Sequence, residues 1–132
     1  MLQIEHVSKT FNPGTINEKK ALIDLNVSLK DGDFATIVGS NGAGKSTMFN
    51  AITGAFYVDE GEIVLDHENI TYKQEHLRSR SIGHLFQDPL LGTAPHMTIE
   101  ENMSLAYLRA SNSRHSFWGR SRKKERDFFR EQ

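Results

Sequence analysis

The chain contains no cysteine. That excludes a disulfide framework, a thiolate metal site and a thiol nucleophile, and it fits a reducing compartment. Long apolar runs are missing too. The longest, such as Phe34–Val38, fall far short of the ~20 residues needed to cross a bilayer. Met1 to Phe11 shows no apolar block behind a basic start, so no secretory leader is expected. Strong net charge is also absent, at −1 over 132 residues. Apolar residues at 37% and charged residues at 25% match a soluble globular chain, so disorder is not the expectation. The length suits one domain that can bury a core without staples.

The small net charge hides an uneven distribution. Residues 1–108 carry a balance of −6 and residues 109–132 a balance of +5. A basic tail can meet nucleic acid or anionic lipid. Its ordinary reading is a solvated helix, for which Phe117, Trp118, Phe128 and Phe129 provide apolar residues to pack.

Leu2, Ile4 and Val7 alternate with polar residues and predict a strand. Phe11 to Lys20 is rich in turn formers and predicts a loop. Leu22 to Leu29 alternates imperfectly, as in a half-buried strand with one polar face. Phe34 to Val38 reads as a central strand buried on both sides. Lys45 to Thr53 has helical spacing, and Gly54 stands where a C-terminal cap belongs. Asp59 to Gly61 predicts a turn, followed by a strand from Glu62 to Asp66. Ser81 to Phe86 is another strand candidate. Thr98-Ile-Glu-Glu101 is a capping box opening a helix to about Ala110. Ser111 to Ser116 breaks that helix, and a basic helix is expected from about Ser121 onward.

The chemistry concentrates in Gly39-Ser40-Asn41-Gly42-Ala43-Gly44-Lys45-Ser46, which fits the phosphate-loop pattern G-x-x-x-x-G-K-[ST]. Glycines let successive backbone N–H groups curl toward phosphate oxygens. The helix behind the loop aims its positive end at the same anion. Lys45 is a mobile charge for the β- and γ-phosphates, and Ser46 offers a hydroxyl to Mg²⁺. Thr47 adds a donor for the α-phosphate. With glycine near 7% of residues, a chance match in a chain this long has odds of roughly 0.5%. The flanking apolar run and helix add the context that the pattern requires. No guanine-reading N-K-x-D occurs, which excludes a GTPase of that type. Nucleoside kinases and motor proteins stay open on the loop alone.

The surroundings narrow this further. From Leu2 onward the chain resembles the ATP-binding subunit of ATP-binding-cassette (ABC) transporters. LQIEHVSKTF is similar to that family's first strand and its adenine-stacking aromatic, here Phe11. ALIDLNVSLKDGDFATIVGSNGAGKSTMFNAITG resembles its second strand, turn, third strand, phosphate loop and following helix. DEGEIVLDHENIT resembles the antiparallel hairpin that comes next. SIGHLFQDP resembles the strand into the glutamine loop, which implies a metal- and water-contacting role for Gln87. The implied fold is α/β: an incomplete P-loop NTPase core, an antiparallel β-subdomain and the start of a helical subdomain. Residues 1–97 would form the partial core with its β-subdomain, and 98–132 the start of the helical part. The implied nucleotide site is Phe11, Gly39, Ser40, Asn41, Gly42, Ala43, Gly44, Lys45, Ser46, Thr47 and Gln87. Ser46 and Gln87 would contact Mg²⁺, and ATP would be the nucleotide.

The resemblance also implies partners. Asp88–Thr98 would face transmembrane permease subunits, and two nucleotide-binding domains would pair in the full-length protein. The expected location is cytoplasmic, peripheral on the inner face of the cell membrane. Nucleic acid is not expected as a partner. Met1 opening directly on the first strand suits a stand-alone importer subunit. Asp66, at the end of Ile63-Val64-Leu65, imitates a metal-binding aspartate, but the resemblance puts that segment in the antiparallel sheet. The six histidines lack ligand spacing.

Other family parts have no counterpart. There is no Gly-Gly pair for the signature loop, no segment that the resemblance assigns to Walker B, and no switch histidine after it. A truncated domain is therefore expected. It would bind nucleotide without efficient hydrolysis, with no catalytic residue of its own, since general-base help alone is worth about 10²–10⁴ in rate. The full-length protein would couple MgATP hydrolysis to transport. The alternative is a soluble ABC-type ATPase acting on DNA or ribosomes.

Overall fold

The computed structural model describes residues 1–110, in two compact units that meet in sequence at Arg78 and Ser79. The break at Ser111 to Ser116 and the basic helix expected after it lie outside the described residues.

The first unit is built on an antiparallel sheet of order β2-β1-β3-β4. Strand β1 (Leu2–Phe11) is flanked by β2 (Lys19–Leu29) and β3 (Glu60–Leu65), and β4 (Glu68–Asn69) closes the edge. Ile4, Val7, Leu22 and Ile63 are buried, and Ile4 and Val7, three residues apart, share a face only because a bulge lies between them. Two helices also belong to this unit, α1 (Lys45–Thr53) and the short α2 (Glu75–Arg78). Ala51, Val58 and Ile70 complete the small core.

The imperfect alternation of β2 has a physical cause. The register runs from Val7 opposite Leu25 to Lys9 opposite Leu22, so Ile23 and Asp24 together face Ser8. This β-bulge puts both Leu22 and Leu25 inward and leaves Ile23 at 72% exposure. A second bulge lies on β1, where Glu5 and His6 face Asn26. His6 and Asp24 both take positive φ there, 52° and 46°. Side chains replace the lost ladder bonds: His6 N–H donates to Asn26 Oδ1 at 2.9 Å and Asp24 N–H to Ser8 Oγ at 3.1 Å. His6 Nδ1 also sits 2.7 Å from Asp24 Oδ1, and this contact, with Asn26 beside it, lowers the Asp24 carboxyl below its usual range.

The bulge on β1 also dictates Gly61. That residue has φ 85°, and a Cβ there would lie 2.4 Å from the carbonyl oxygens of both Glu5 and His6. Asp66 and His67 form the two-residue hairpin turn between β3 and β4, with φ 48° and 68°. Asp66 accepts from the Met1 ammonium at 2.5 Å, and Asp31 accepts from the same group. Asp66 is thus a turn residue tied to the chain start.

Two predicted strands are not formed. Phe34–Val38 has no regular secondary structure, with Phe34 at 94% and Val38 at 93% exposure. Ser81–Phe86 likewise pairs with nothing among the described residues, and Leu85 is 95% exposed. An apolar run registers a preference for burial, but a strand forms only when its N–H and C=O groups find a ladder partner. No described segment supplies one for either run.

In the second unit a single 3₁₀ turn, Pro89–Leu91, precedes α3 (Ile99–Ala110). The capping box is formed as predicted. Thr98 N–H donates to Glu101 Oε2 at 2.8 Å, and Glu101 N–H donates to Thr98 Oγ1 at 3.2 Å. Asn102 ties the preceding loop to the helix, taking the Ala94 N–H at 2.8 Å and donating to the Ala94 carbonyl at 3.1 Å.

Candidate nucleotide-binding site

The site is assembled around the start of α1. Gly44 is its N-cap, at φ 90° and ψ 0°, and no side chain caps the first turn. No acidic residue occupies that turn either. The N–H groups that a helix normally leaves unpaired at its start therefore remain available to an external anion. At the other end Gly54 caps α1 as predicted, with φ 88° and its N–H on the Asn50 carbonyl at 3.0 Å.

Two glycines of the loop have distinct tasks. Gly42 turns the chain at φ 85°. Gly44 does more, because a Cβ there would lie 2.7 Å from the Ala21 carbonyl oxygen. The loop is thereby pressed against β2, and only glycine allows both the left-handed dihedral and the close approach. Ala43 N–H closes a turn on the Ser40 carbonyl at 3.2 Å.

Lys45 folds back over the loop. Its Nζ donates to the Gly39 carbonyl at 2.5 Å and the Ser40 carbonyl at 2.7 Å. An ammonium has three donors, so one stays available for a phosphate oxygen. Gly39, Ser40, Asn41, Gly42, Ala43 and Ser46 are exposed, while Gly44, Lys45 and Thr47 are half-buried.

Phe11 ends β1 opposite Lys19. Lys19 is two residues from Ala21, the residue that Gly44 touches, or about 7 Å along a strand. The β1–β2 hairpin thus carries both the aromatic ring and the seat of the phosphate loop. Phe11 packs edge-to-face on Phe56, with centroids 5.2 Å apart and planes at 84°. Gln87 is exposed and belongs to the second unit, just ahead of the 3₁₀ turn.

The profile of the ABC transporter family matches residues 22–131. The chain belongs to that family. Among curated proteins, this ABC chain is 45% identical to a tyrosine transport ATP-binding protein of Clostridioides difficile, over 80% of its own length and 42% of the relative's. It is 39% identical to an energy-coupling factor transporter ATP-binding protein of Clostridium acetobutylicum, over 67% and 32% of the two lengths. It is 37% identical to a carnitine transport ATP-binding protein of Listeria monocytogenes, over 80% and 25%. The ABC chain therefore spans less than half the length of these relatives. A dimeric ATP-binding cassette in a post-hydrolysis state, bound to ADP and Pi, superposes with a TM-score of 0.77 at 28% identity, covering 99% of this chain and 55% of that one. A nucleotide-free cassette gives 0.72 at 28% identity, over 96% and 50%. The fold is part of an α/β P-loop NTPase cassette, and the antiparallel sheet is its β-subdomain.

The donor set suits a nucleoside triphosphate with Mg²⁺. Among the described residues no three His, Cys, Asp or Glu side chains gather to hold a metal. Mg²⁺ keeps several waters and is bound largely through substrate phosphates, so a site without an all-protein cage fits it, and the exposed Ser46 hydroxyl is the protein oxygen on α1's first turn that would be offered to it. No described helix is long and apolar enough to cross a membrane.

Residues that the sequence reading passed over also build the site. Ala21 seats the loop. Lys9 and Asp59 stand behind Phe11, with Lys9 Nζ 2.6 Å from Asp59 Oδ1. Arg78, 2% exposed, holds the far end of α1. Asp59 carried only a turn signal. Arg78 carried none, since nothing local marks an arginine for burial.

Proposed function

We propose that this chain is the ATP-cradling part of a transport-coupled ATPase subunit. The observation that carries this is the uncapped N-terminus of α1, seated through Gly44 on the strand that pairs with Phe11. Triphosphate lies on the N–H groups from Gly39 to Thr47, with Lys45 at the β- and γ-phosphates and Ser46 on Mg²⁺. Adenine stacks on Phe11. Gln87 reaches the metal and its water when the cassette is assembled. Residues 1–97 carry the cradle and β-subdomain, and residues 98–132 open the helical subdomain.

The full-length protein hydrolyses MgATP as a pair of cassettes docked on transmembrane subunits at the cytoplasmic face. Exposed Leu90, Leu91 and Met97 support Asp88–Thr98 as the docking segment. The named relatives make small organic solutes such as tyrosine or carnitine the first cargo to test. They are transport proteins, so a soluble ATPase acting on DNA or ribosomes is not favoured. The chain itself binds nucleotide and turns it over poorly, because no Gly-Gly signature is present to close over the phosphates and the Asp59 of its one Asp-Glu pair, Asp59-Glu60, is committed to Lys9 and Thr10.

The test is nucleotide binding and phosphate release by the wild-type chain and Lys45→Ala. MgATP binding that weakens at least tenfold in Lys45→Ala, with negligible release, supports the reading. Binding indifferent to Lys45 refutes the cradle, and lysine-dependent turnover at ordinary enzyme rates refutes the inactivity.

A further inference from the structure

Behind Phe11 lies a cluster that the phosphate-loop chemistry does not use. Lys9 Nζ sits 5.7 Å from the Phe11 ring centroid and 5.6 Å from that of Phe56. Its side chain is only 17% exposed, although it is a lysine on a small domain. Asp59 holds it, accepting from Nζ at 2.6 Å. The other Asp59 oxygen accepts the Thr10 N–H at 2.7 Å, and Asp59 N–H donates to the Ser8 carbonyl at 3.0 Å.

These bonds matter because of where the ladder ends. The last pairing of β1 with β3 is Ser8 opposite Glu60. Beyond it, Lys9, Thr10 and Phe11 have only β2 alongside. Asp59 takes over from the missing ladder and fixes Thr10 on its free side. The Lys9 contact lowers the Asp59 carboxyl below its usual range, with the Thr10 N–H adding to it. Phe56 meets the Phe11 ring edge-to-face. Ring, cation and carboxylate thus form one braced shelf, with Phe11 half-exposed on it.

We propose that Lys9 and Asp59 are positioning residues for base recognition: they hold the Phe11 ring as a platform for a nucleotide's aromatic base, and so contribute to base affinity and not to phosphate affinity. The inference rests on the base-stacking role of Phe11 given above. A ring held before the ligand arrives loses less freedom on stacking, which is how pre-organisation gains affinity. A cation on an aromatic face and an ion pair of this exposure suggest an effect of about three- to tenfold in affinity.

The experiment compares two probes, MgATP and magnesium tripolyphosphate, on the full chain. Lys9→Met keeps most of the apolar stem and removes the charge. Asp59→Asn keeps the shape and removes the ion pair. Each is expected to weaken MgATP about three- to tenfold while leaving tripolyphosphate unchanged, moving the ratio of the two affinities toward that of Phe11→Leu. Lys9→Arg, which can still pair with Asp59 and cover the rings, is expected to restore the ratio. A merely structural role would weaken both probes alike, and that result overturns the proposal. So does an unchanged ratio in Lys9→Met and Asp59→Asn while Phe11→Leu lowers it. If Phe11→Leu leaves the ratio unchanged, the base platform itself fails. If wild-type binding of both probes is indifferent to Lys45→Ala, the functional reading fails with it.

Discussion

Removing the Arg78 guanidinium should loosen the helix that carries the phosphate loop, and the structure sets the scale. Arg78 Nη1 donates to the Ala51 and Ile52 carbonyls at 2.7 and 3.0 Å. Nη2 donates to the Thr71 carbonyl at 2.8 Å, and Nε to the Lys73 carbonyl at 2.8 Å. Ala51 and Ile52 are in the last turn of α1, where carbonyls lack helical partners and a cation suits the dipole. Burial pulls the Arg78 pKa below its usual value, with Tyr57 acting against that, but a guanidinium remains cationic at neutral pH. Ile52 and Lys73 are half-exposed, so water can replace their bonds, whereas Ala51 and Thr71 are 2% and 1% exposed. Two orphaned buried carbonyls at about 1–3 kcal/mol each put Arg78→Ala at about 2–6 kcal/mol. That is a large share of the ~5–15 kcal/mol stabilising an ordinary domain.

Gly54 makes this reasoning separable from a general loss of packing. A Cβ at Gly54 would lie 2.8 Å from Arg78 Nε, at a position with φ +88°. Gly54→Ala should therefore cost about 1–2 kcal/mol for the dihedral alone, plus the displacement of the guanidinium. In Arg78→Ala only the dihedral cost remains. A double-mutant cycle by urea unfolding, followed by circular dichroism, should show coupling of about 1–3 kcal/mol. Arg78→Lys, with a charge but no fork, should fall between wild type and Arg78→Ala. Additivity within ~0.5 kcal/mol would refute the link between Arg78 and the α1 terminus, as would an Arg78→Ala cost below ~1 kcal/mol.

Gly44→Ala should abolish detectable MgATP binding in titration calorimetry, because the new methyl would need the space of the Ala21 carbonyl; retention of wild-type affinity would show that the loop does not need this seat. Thr98→Ala should cost α3 about 0.5–2 kcal/mol through its lost cap, read as faster amide exchange at Glu100 and Glu101. The Glu101 carboxyl is lowered from its usual value, chiefly by the Thr98 N–H and then by the Thr98 hydroxyl. Its contribution is therefore present above the ordinary carboxylate pKa and lost as pH falls through the lowered one, so protection of α3 amides should decline in acid in wild type and change less in Thr98→Ala.

Local patterns were legible wherever the deciding partners lie within a few residues. The Ala43–Ser40 turn, the Gly54 cap and the Thr98–Glu101 box all use partners three or four positions away, and the cap and the box are formed where their spacing predicted. Phe34–Val38 forms no strand, because apolarity reports a need for burial without naming a partner strand. Ile23 and Leu25 defied simple alternation because opposed bulges shift the register, and a bulge depends on two strands at once.

By itself, then, the sequence determined the family, the glycine-rich loop and the helices that start and stop beside it. Their determinants are backbone dihedrals, capping groups and motif spacing, all short-range. Only the tertiary structure decided what braces that cradle. Lys9 meets Asp59 across 50 positions, Arg78 reaches Ala51 across 27, and Gly44 meets Ala21 through space. Such contacts exist only after the chain has closed on itself, because the choice of which charge to bury and which carbonyl to approach is made by packing and not by neighbours in sequence.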